Sequence, residues 1–285
     1  MINFFKNSIA WAFAIITGIF TFVPESVFGN YTWILQDNLD KSNVFSCTDA
    51  HDLNIIISRL VCFLLVWLAT SLIYLAVLKF RRKVTINGQN YSIQIEYGNI
   101  LKKKGCKRVI NFDECFTTQV GSGTADVNPT SICGQYLEDH PDLDLQQLID
   151  NADITPARSK SKYRQKTRYI PGTIVPNGDD LLMAFARLDE RGKGRFFSRD
   201  EYLVCLDTLW KELENHYSQK DVCVPILGAG TTSIDGGSGA SISQQDLLNM
   251  MIWSYQLCSH KIKAPYKLRI ICRRNSDFSI NNIGQ

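Results

Sequence analysis

Nineteen consecutive residues, Leu60 to Leu78 (LVCFLLVWLATSLIYLAVL), carry no charge, and this run restricts the fold more than any other feature. As a helix rising about 1.5 Å per residue it spans about 28 Å, close to the ~30 Å hydrocarbon thickness of a bilayer. A buried core helix of that length would show a polar face, and this run has none. The spacing predicts a membrane helix over about 58–78, with Arg59 at one end to snorkel toward the headgroups.

A second uncharged stretch, Asn7 to Pro24, follows Lys6. It reads either as another membrane helix, over about 7–24, or as a secretory signal with Lys6, an apolar Ile9–Val23 and a Val27-x-Gly29 cleavage site. Tyr31, Trp33, Ile34 and Leu35 extend the apolar character past Gly29, which favours a retained helix with an aromatic interfacial belt. After the second helix come Lys79, Arg81, Arg82 and Lys83, whereas the intervening loop holds Asp37, Asp40, Asp49 and Asp52 against Lys41. Cations remain on the cytoplasmic side, so residues 84–285 are expected in the cytoplasm, behind a multi-pass membrane segment.

Residues 1–78 carry a net charge of −2 and residues 79–285 a net of +5. So small an excess excludes a nucleic-acid binder driven by bulk charge. The nine cysteines form no C-x-x-C pair and the four histidines no H-x-x-x-H pair, so no metal site and no disulfide framework is expected. Buried free thiols in a reducing compartment fit the scatter.

The segment 84–285 is long enough for one α/β domain. Val84–Tyr97 reads as a hairpin turning at Asn87-Gly88. Further strands are expected at Gly105–Phe112, Tyr169–Val175 and Leu181–Leu188, the last two separated by a turn at Pro176-Asn-Gly178. Leu137–Ile149 has a helical pattern. Ser198 and Glu201 mark a capping box, followed by an apolar face at Tyr202, Leu206, Leu209, Trp210 and Leu213. Val222–Leu227 is a continuous apolar strand of the parallel-sheet kind. A helix opening near Ser243 with Asp246 in its first turn should bury Leu247, Met251, Ile252, Tyr255 and Cys258, before a last strand Tyr266–Cys272. Strands alternating with helices indicate a layered α/β fold.

The chemistry-bearing feature is Gly228-Ala229-Gly230-Thr231-Thr232, directly after the buried strand. Small residues there let backbone N–H groups approach a ligand, and with the two hydroxyls they can cradle a diphosphate. No lysine follows, so the loop is not that of a P-loop NTPase. A second glycine loop, Val120-Gly121-Ser122-Gly123-Thr124, follows the strand ending at Phe112. Glycine loops at the ends of two sheet strands point to ligand binding.

Gly98-Asn99-Ile100, Val109-Ile110-Asn111 and Val224-Pro-Ile-Leu-Gly228-Ala-Gly230 resemble, in order, motifs of the macro domain, an ADP-ribose-binding module. The likeness covers roughly residues 90–275 and implies a three-layer α/β fold with a mixed central sheet. By position, Asn99 stands where the family aspartate meets adenine and Ile100 beside the base. Asn111 would face the distal ribose, Gly121, Ser122 and Gly123 would form one phosphate-side loop, and Gly228 to Thr232 the other. Two departures bear on chemistry: Asn99 carries no charge, and the second family asparagine is lost within Asn111-Phe-Asp113-Glu114. The uncharged Asn99 can still accept from and donate to the base, and the lost asparagine favours a reader of ligand over an enzyme, although Asp113 and Glu114 could act as acid or base.

A macro domain behind a two-helix hairpin resembles the membrane-anchored effectors of Thoeris anti-phage defence. That resemblance implies an ADP-ribose-derived signal, such as histidine-conjugated ADP-ribose, made by a TIR-domain partner. It also implies homo-oligomers that disrupt the bilayer in abortive infection. A small-residue stripe on the first helix, Ala10, Ala14 and Gly18, would permit close helix contact. The alternatives are a membrane-tethered ADP-ribosyl hydrolase and a passive scaffold. The alternating cations Arg158, Lys160, Lys162, Arg164, Lys166 and Arg168 would share one face of a strand, as a solvated edge, a diphosphate rim or a lipid contact.

Overall fold

A computed structural model describes residues 2–33, 49–196, 198–230, 233–234, 242–274 and 278–283. The chain divides into two compact units, residues 1–81 and 82–284. Ile34, Leu35, Asp37, Asp40, Lys41, Thr231, Thr232 and the glycine-rich 235–241 stretch lie outside the described residues.

The first unit holds α1 (Ile2–Phe22), α2 (Glu25–Gly29) and α3 (Ala50–Phe80). The long helix begins well before the uncharged run because the Asp49 carboxylate accepts the His51 N–H at 2.9 Å and caps it. Ser8, Ala12 and Ile16 are buried along one side of α1, and Phe13 meets Phe63 of α3 at 5.2 Å between ring centroids. Arg59, expected to snorkel, has partners within this unit. It pairs with Glu25 at 2.6 Å and lies over the Phe20 and Phe28 rings. Trp33 closes the hairpin by donating from its backbone N–H to Asn54 and from its indole to Ser58. Among the described residues, α3 is the one helix long and apolar enough to cross a membrane by length and composition; α1 offers a shorter apolar stretch, Ser8–Phe22.

The second unit is a mixed sheet with helices on both faces. Its strands are β1 (Lys83–Gly88), β2 (Tyr91–Tyr97), β3 (Cys106–Asp113), β4 (Ile174–Asn177), β5 (Asp180–Leu188), β6 (Gly194–Phe196), β7 (Asp221–Pro225), β8 (Ser233–Ile234) and β9 (Leu268–Cys272). They lie in the order β1-β2-β9-β7-β3-β5-β6-β8, with β4 also on β5. The five central strands β2, β9, β7, β3 and β5 are parallel. All their carboxyl ends therefore point to one edge of the domain, where ligands of such sheets bind.

Alternation along β5 sets the two cores. Leu181, Met183 and Phe185 face α6 (Arg199–His216) and α7 (Gln244–Leu257), while Leu182 and Ala184 face α4 (Ile132–Asp139) and α5 (Leu145–Asn151). The expected caps hold: Ser198 accepts the Glu201 N–H and Ser243 that of Asp246. The expected α6 face is wholly buried, and so are Leu247, Met251, Ile252 and Tyr255 of α7; Cys258 is half-buried just past that helix.

Four expectations need correcting. The β1–β2 turn lies at Gln89-Asn90, not Asn87-Gly88, because this register pairs Ile86 with Ile93 and Val84 with Ile95. Gly88 serves another purpose, since a Cβ there would run into the Tyr91 ring. Tyr169–Val175 becomes a strand only from Ile174. Before it, Gly172 sits at φ +99°, where a side chain would strike the Cys205 carbonyl at 2.5 Å. The segment Leu137–Ile149 contributes to two short helices, α4 and α5, interrupted at His140-Pro141.

The basic segment Ala157–Tyr169 is not an extended strand. Arg164 and Gln165 take φ near +51° and +52°, and the chain doubles back, with Ala157 N–H on Arg168 O and Ser161 N–H on Lys166 O. The six cations therefore do not share a face.

Candidate functional site

At the carboxyl edge of the parallel strands two cavities meet. The larger, about 410 Å³, lies over the ends of β3 and β5; the smaller, about 170 Å³, lies between the ends of β3, β7 and β9. Asn111 and Ser131 line both, so the two form one cleft. Asn111 is the last half-buried polar residue before the β3 bulge at Phe112/Asp113. Its amide has no hydrogen-bond partner among the described residues.

The smaller cavity is edged by Gly228, Ala229 and Gly230. Burial of Val222, Val224 and Leu227 fixes β7 in the sheet, and Tyr202 Oη donates to the Leu227 carbonyl at 3.0 Å, so the loop starts from a rigid base. Gly228 takes φ +83°, which favours glycine. No described atom lies within 4 Å of a Cβ built at Gly230. The N–H groups of Gly228 and Gly230 find no acceptor among the described residues, whereas Ala229 N–H reaches Ile226 O at 3.4 Å. Two open donors above a rigid strand can receive an anion.

The other glycine loop is closed. Gly121 N–H donates to Val127 O at 3.1 Å and Gly123 N–H to the Asp126 carboxylate at 2.9 Å. A Cβ at Gly121 or Gly123 would come within 2.6 Å of Asp126 Oδ2. The concave side expected to face a phosphate thus holds the chain's own carboxylate. Of the three residues expected there, Gly123 lines the larger cavity and Gly121 and Ser122 do not.

Asn99 and Ile100 also fall outside both linings. The Asn99 side chain accepts the Leu101 N–H at 3.0 Å and caps a short 3-10 turn, Ile100–Lys102. Ile100 is buried in a small cluster with Cys106, Cys223 and Ile271, of which Ile271 lines the smaller cavity. The two thiols there are 3.1 Å apart and form no disulfide; the hydrogen bond they share holds the Cys106 thiol below its ordinary pKa despite its burial, and the nearby Arg269 and Arg108 charges act in the same direction.

Asp113 and Glu114 have separate tasks. Asp113 lines the larger cavity, and burial raises its carboxyl above the usual range despite N–H donation from Cys115 and Thr117. Glu114 is almost wholly buried and outside the lining. It accepts from Ser161 Oγ at 2.6 Å, Leu188 N–H at 3.1 Å and Arg168 at 3.2 Å. It is a structural knot that ties the doubled-back basic segment to the end of β5. Tyr163 of that segment lies beside Gly192, where a Cβ would be 3.1 Å from its ring and 2.5 Å from Ala125. Three loops therefore converge on the wall of the larger cavity.

Ser131, Asp126, Lys193, Gln244 and Arg273 also line the cleft and escape sequence reasoning. Arg273 had an available signal, because it directly follows a strand that ends at the ligand edge. Ser131 is the α4 cap, accepting Gly134 N–H at 2.9 Å, so its position reads from sequence only as a helix start.

The family described as Thoeris protein ThsA, Macro domain, matches residues 93–273. A Thoeris protein ThsA from Bacillus amyloliquefaciens (strain Y2) is 28% identical over 232 residues, 76% of each chain. Among solved structures, an Oceanobacillus iheyensis macrodomain (mutant D40A) gives a TM-score of 0.41 at 12% identity, covering 70% of this chain and 93% of that one. The O. iheyensis macrodomain with ADP gives 0.37 at 10% identity, covering 68% and 90%. The macrodomain of Thermus aquaticus DarG gives 0.34 at 12%, covering 64% and 98%. The sequence match spans more than half of the chain, which belongs to the Thoeris ThsA macro-domain family.

Proposed function

We propose that this protein is a membrane-anchored effector of anti-phage defence whose macro domain reads an ADP-ribose-derived signal made by a TIR-domain partner, histidine-conjugated ADP-ribose included. Family membership supports the defence role. The observation that carries ligand binding is the open Gly228–Gly230 loop, whose N–H donors edge a cleft running past Asn111. A cleft of this size with few convergent polar groups suits a nucleotide.

In this reading α3 spans the inner membrane, α1 is a second, shorter span, and the cations Lys79–Lys83 hold the macro domain in the cytoplasm. Ligand occupancy drives homo-oligomers that disrupt the bilayer. One hairpin cannot enclose a pore, so several chains must assemble. Ala10, Ala14 and Gly18 are exposed, away from the buried Ser8, Ala12 and Ile16, which leaves a small-residue stripe for a neighbouring helix.

The protein acts as a reader and not as an enzyme. Asp113 supports the rival hydrolase, because a cavity-lining carboxyl with a raised pKa can hold a proton. Hydrolysis of ADP-ribosylated protein by the wild type, abolished in Asp113→Asn, would establish that rival.

The direct test is calorimetry of the full chain in lipid nanodiscs against ADP-ribose and its histidine conjugate. Saturable binding to either is expected, and binding to neither rejects the reading. Light scattering in detergent should show larger particles at saturating ligand; unchanged mass while cells still die would reject assembly.

A further inference from the structure

We propose that Arg273 is the side chain that neutralises the ligand's diphosphate beside the Gly228–Gly230 loop. The proposal rests on the nucleotide-binding reading of the same cleft.

Among the described residues that line the smaller cavity, Arg273 is the one that carries a charge. Its placement follows from the sheet register. Pro225 of β7 pairs with Ile271 of β9 at the end of the ladder, and Arg273 follows two residues later, as Gly228 follows Pro225 by three. Ile271 and Arg273 are two apart at a strand end and share a face, and Ile271 also lines the cavity. Arg273 thus shares one cavity lining with the residues that carry the open N–H donors.

The other arginines of the central sheet have partners. Arg108 forms a two-point pair with Asp180 at 2.7 and 2.9 Å, Arg187 pairs with Glu201, and Arg269 pairs with Glu96 at 2.7 Å. The neighbouring Arg274 lies over the Tyr97 ring, 5.3 Å from its centroid. Arg273 is exposed and has no ion pair among the described residues. Gln244 lines the same cavity, and its buried Oε1 has no hydrogen-bond partner among the described residues, so it calls for a donor such as a ribose hydroxyl, beside the phosphates and not against them. A planar fork of donors suits two adjacent phosphates, and neutral N–H groups alone leave a diphosphate's charge uncompensated.

The guanidinium could instead stack on the base, and the choice of probe separates these roles. Full-length protein in nanodiscs is titrated with ADP-ribose, ADP and adenosine, for the wild type, Arg273→Ala and Arg273→Lys. Pairing with the diphosphate predicts that Arg273→Ala raises Kd for ADP-ribose and ADP about tenfold or more. Adenosine affinity should stay within about twofold, and the salt dependence of ADP-ribose binding should flatten. Arg273→Lys should recover part of the loss by restoring charge without the fork. An equal loss for adenosine overturns the proposal in favour of stacking. Unchanged ADP-ribose affinity in Arg273→Ala overturns it with the site reading intact. A wild type that binds none of the probes overturns the site reading and this proposal together.

Discussion

Gly121–Gly123 and Gly228–Gly230 are glycine turns at the same edge of one sheet, yet their glycines answer different needs. In the first, the missing side chains let the chain close on its own Asp126 carboxylate. In the second, Gly228 supplies a positive φ and Gly230 faces open space, leaving N–H groups unanswered among the described residues. Glycine content alone does not identify an anion site. The destination of each N–H does.

The largest expected effect falls on the closed side, which Glu114 holds in place. Glu114→Ala should destabilise the α/β unit by about 3 kcal/mol or more, because Arg168 and the Leu188 N–H lose a buried acceptor. Thermal melting of the full chain checks this; an unchanged melting temperature would contradict the role of Glu114 as a structural knot. On the open side, Gly230→Asp should weaken ADP-ribose binding by about a hundredfold, about 2.7 kcal/mol. Its melting temperature should stay near wild type, since the new Cβ meets no described atom. Undiminished affinity would sink the open-loop assignment.

Asp126→Asn sharpens the contrast with an effect of opposite sign. The amide oxygen still accepts the Gly123 N–H while the negative charge leaves the cleft wall. ADP-ribose should then bind about two- to fivefold more tightly, a gain within the range of one screened charge. Weaker binding would mean that the carboxylate helps to hold the ligand.

The smallest effect concerns pH. Burial raises the Asp113 pKa in the folded state, so the folded chain binds more protons than the unfolded one between the two pKa values. Asp113 should therefore cost stability progressively as pH rises through that window. Asp113→Asn should flatten this part of the stability–pH curve, as followed by denaturant unfolding. A wild-type-minus-mutant stability difference that rises with pH there would reverse the sign.

What could be read from the residues was local. The Ser198 and Ser243 caps, the buried face of α6 and the apolar β7 depend on neighbours a few positions away. What could not be read depended on distant partners. The strong turn signal Asn87-Gly88 yields to a register that pairs aliphatic residues across β1 and β2, with Gly88 kept for the Tyr91 ring. The alternating cations imitate a strand, but Arg168 is drawn inward by Glu114, 54 positions earlier. Ile100 fits a place beside a ligand by order of motifs, yet it is buried with Cys106, Cys223 and Ile271. Asp126 enters the story only once the loop around it has closed.

Hydrogen exchange of the backbone amides, with and without saturating ADP-ribose, tests the difference between the two loops most directly. The full chain in nanodiscs should show slower exchange at Gly228–Gly230 on adding ligand, while Gly123, already bonded to Asp126, stays unchanged. Protection appearing at Gly121–Gly123 with none at Gly228–Gly230 would contradict the account.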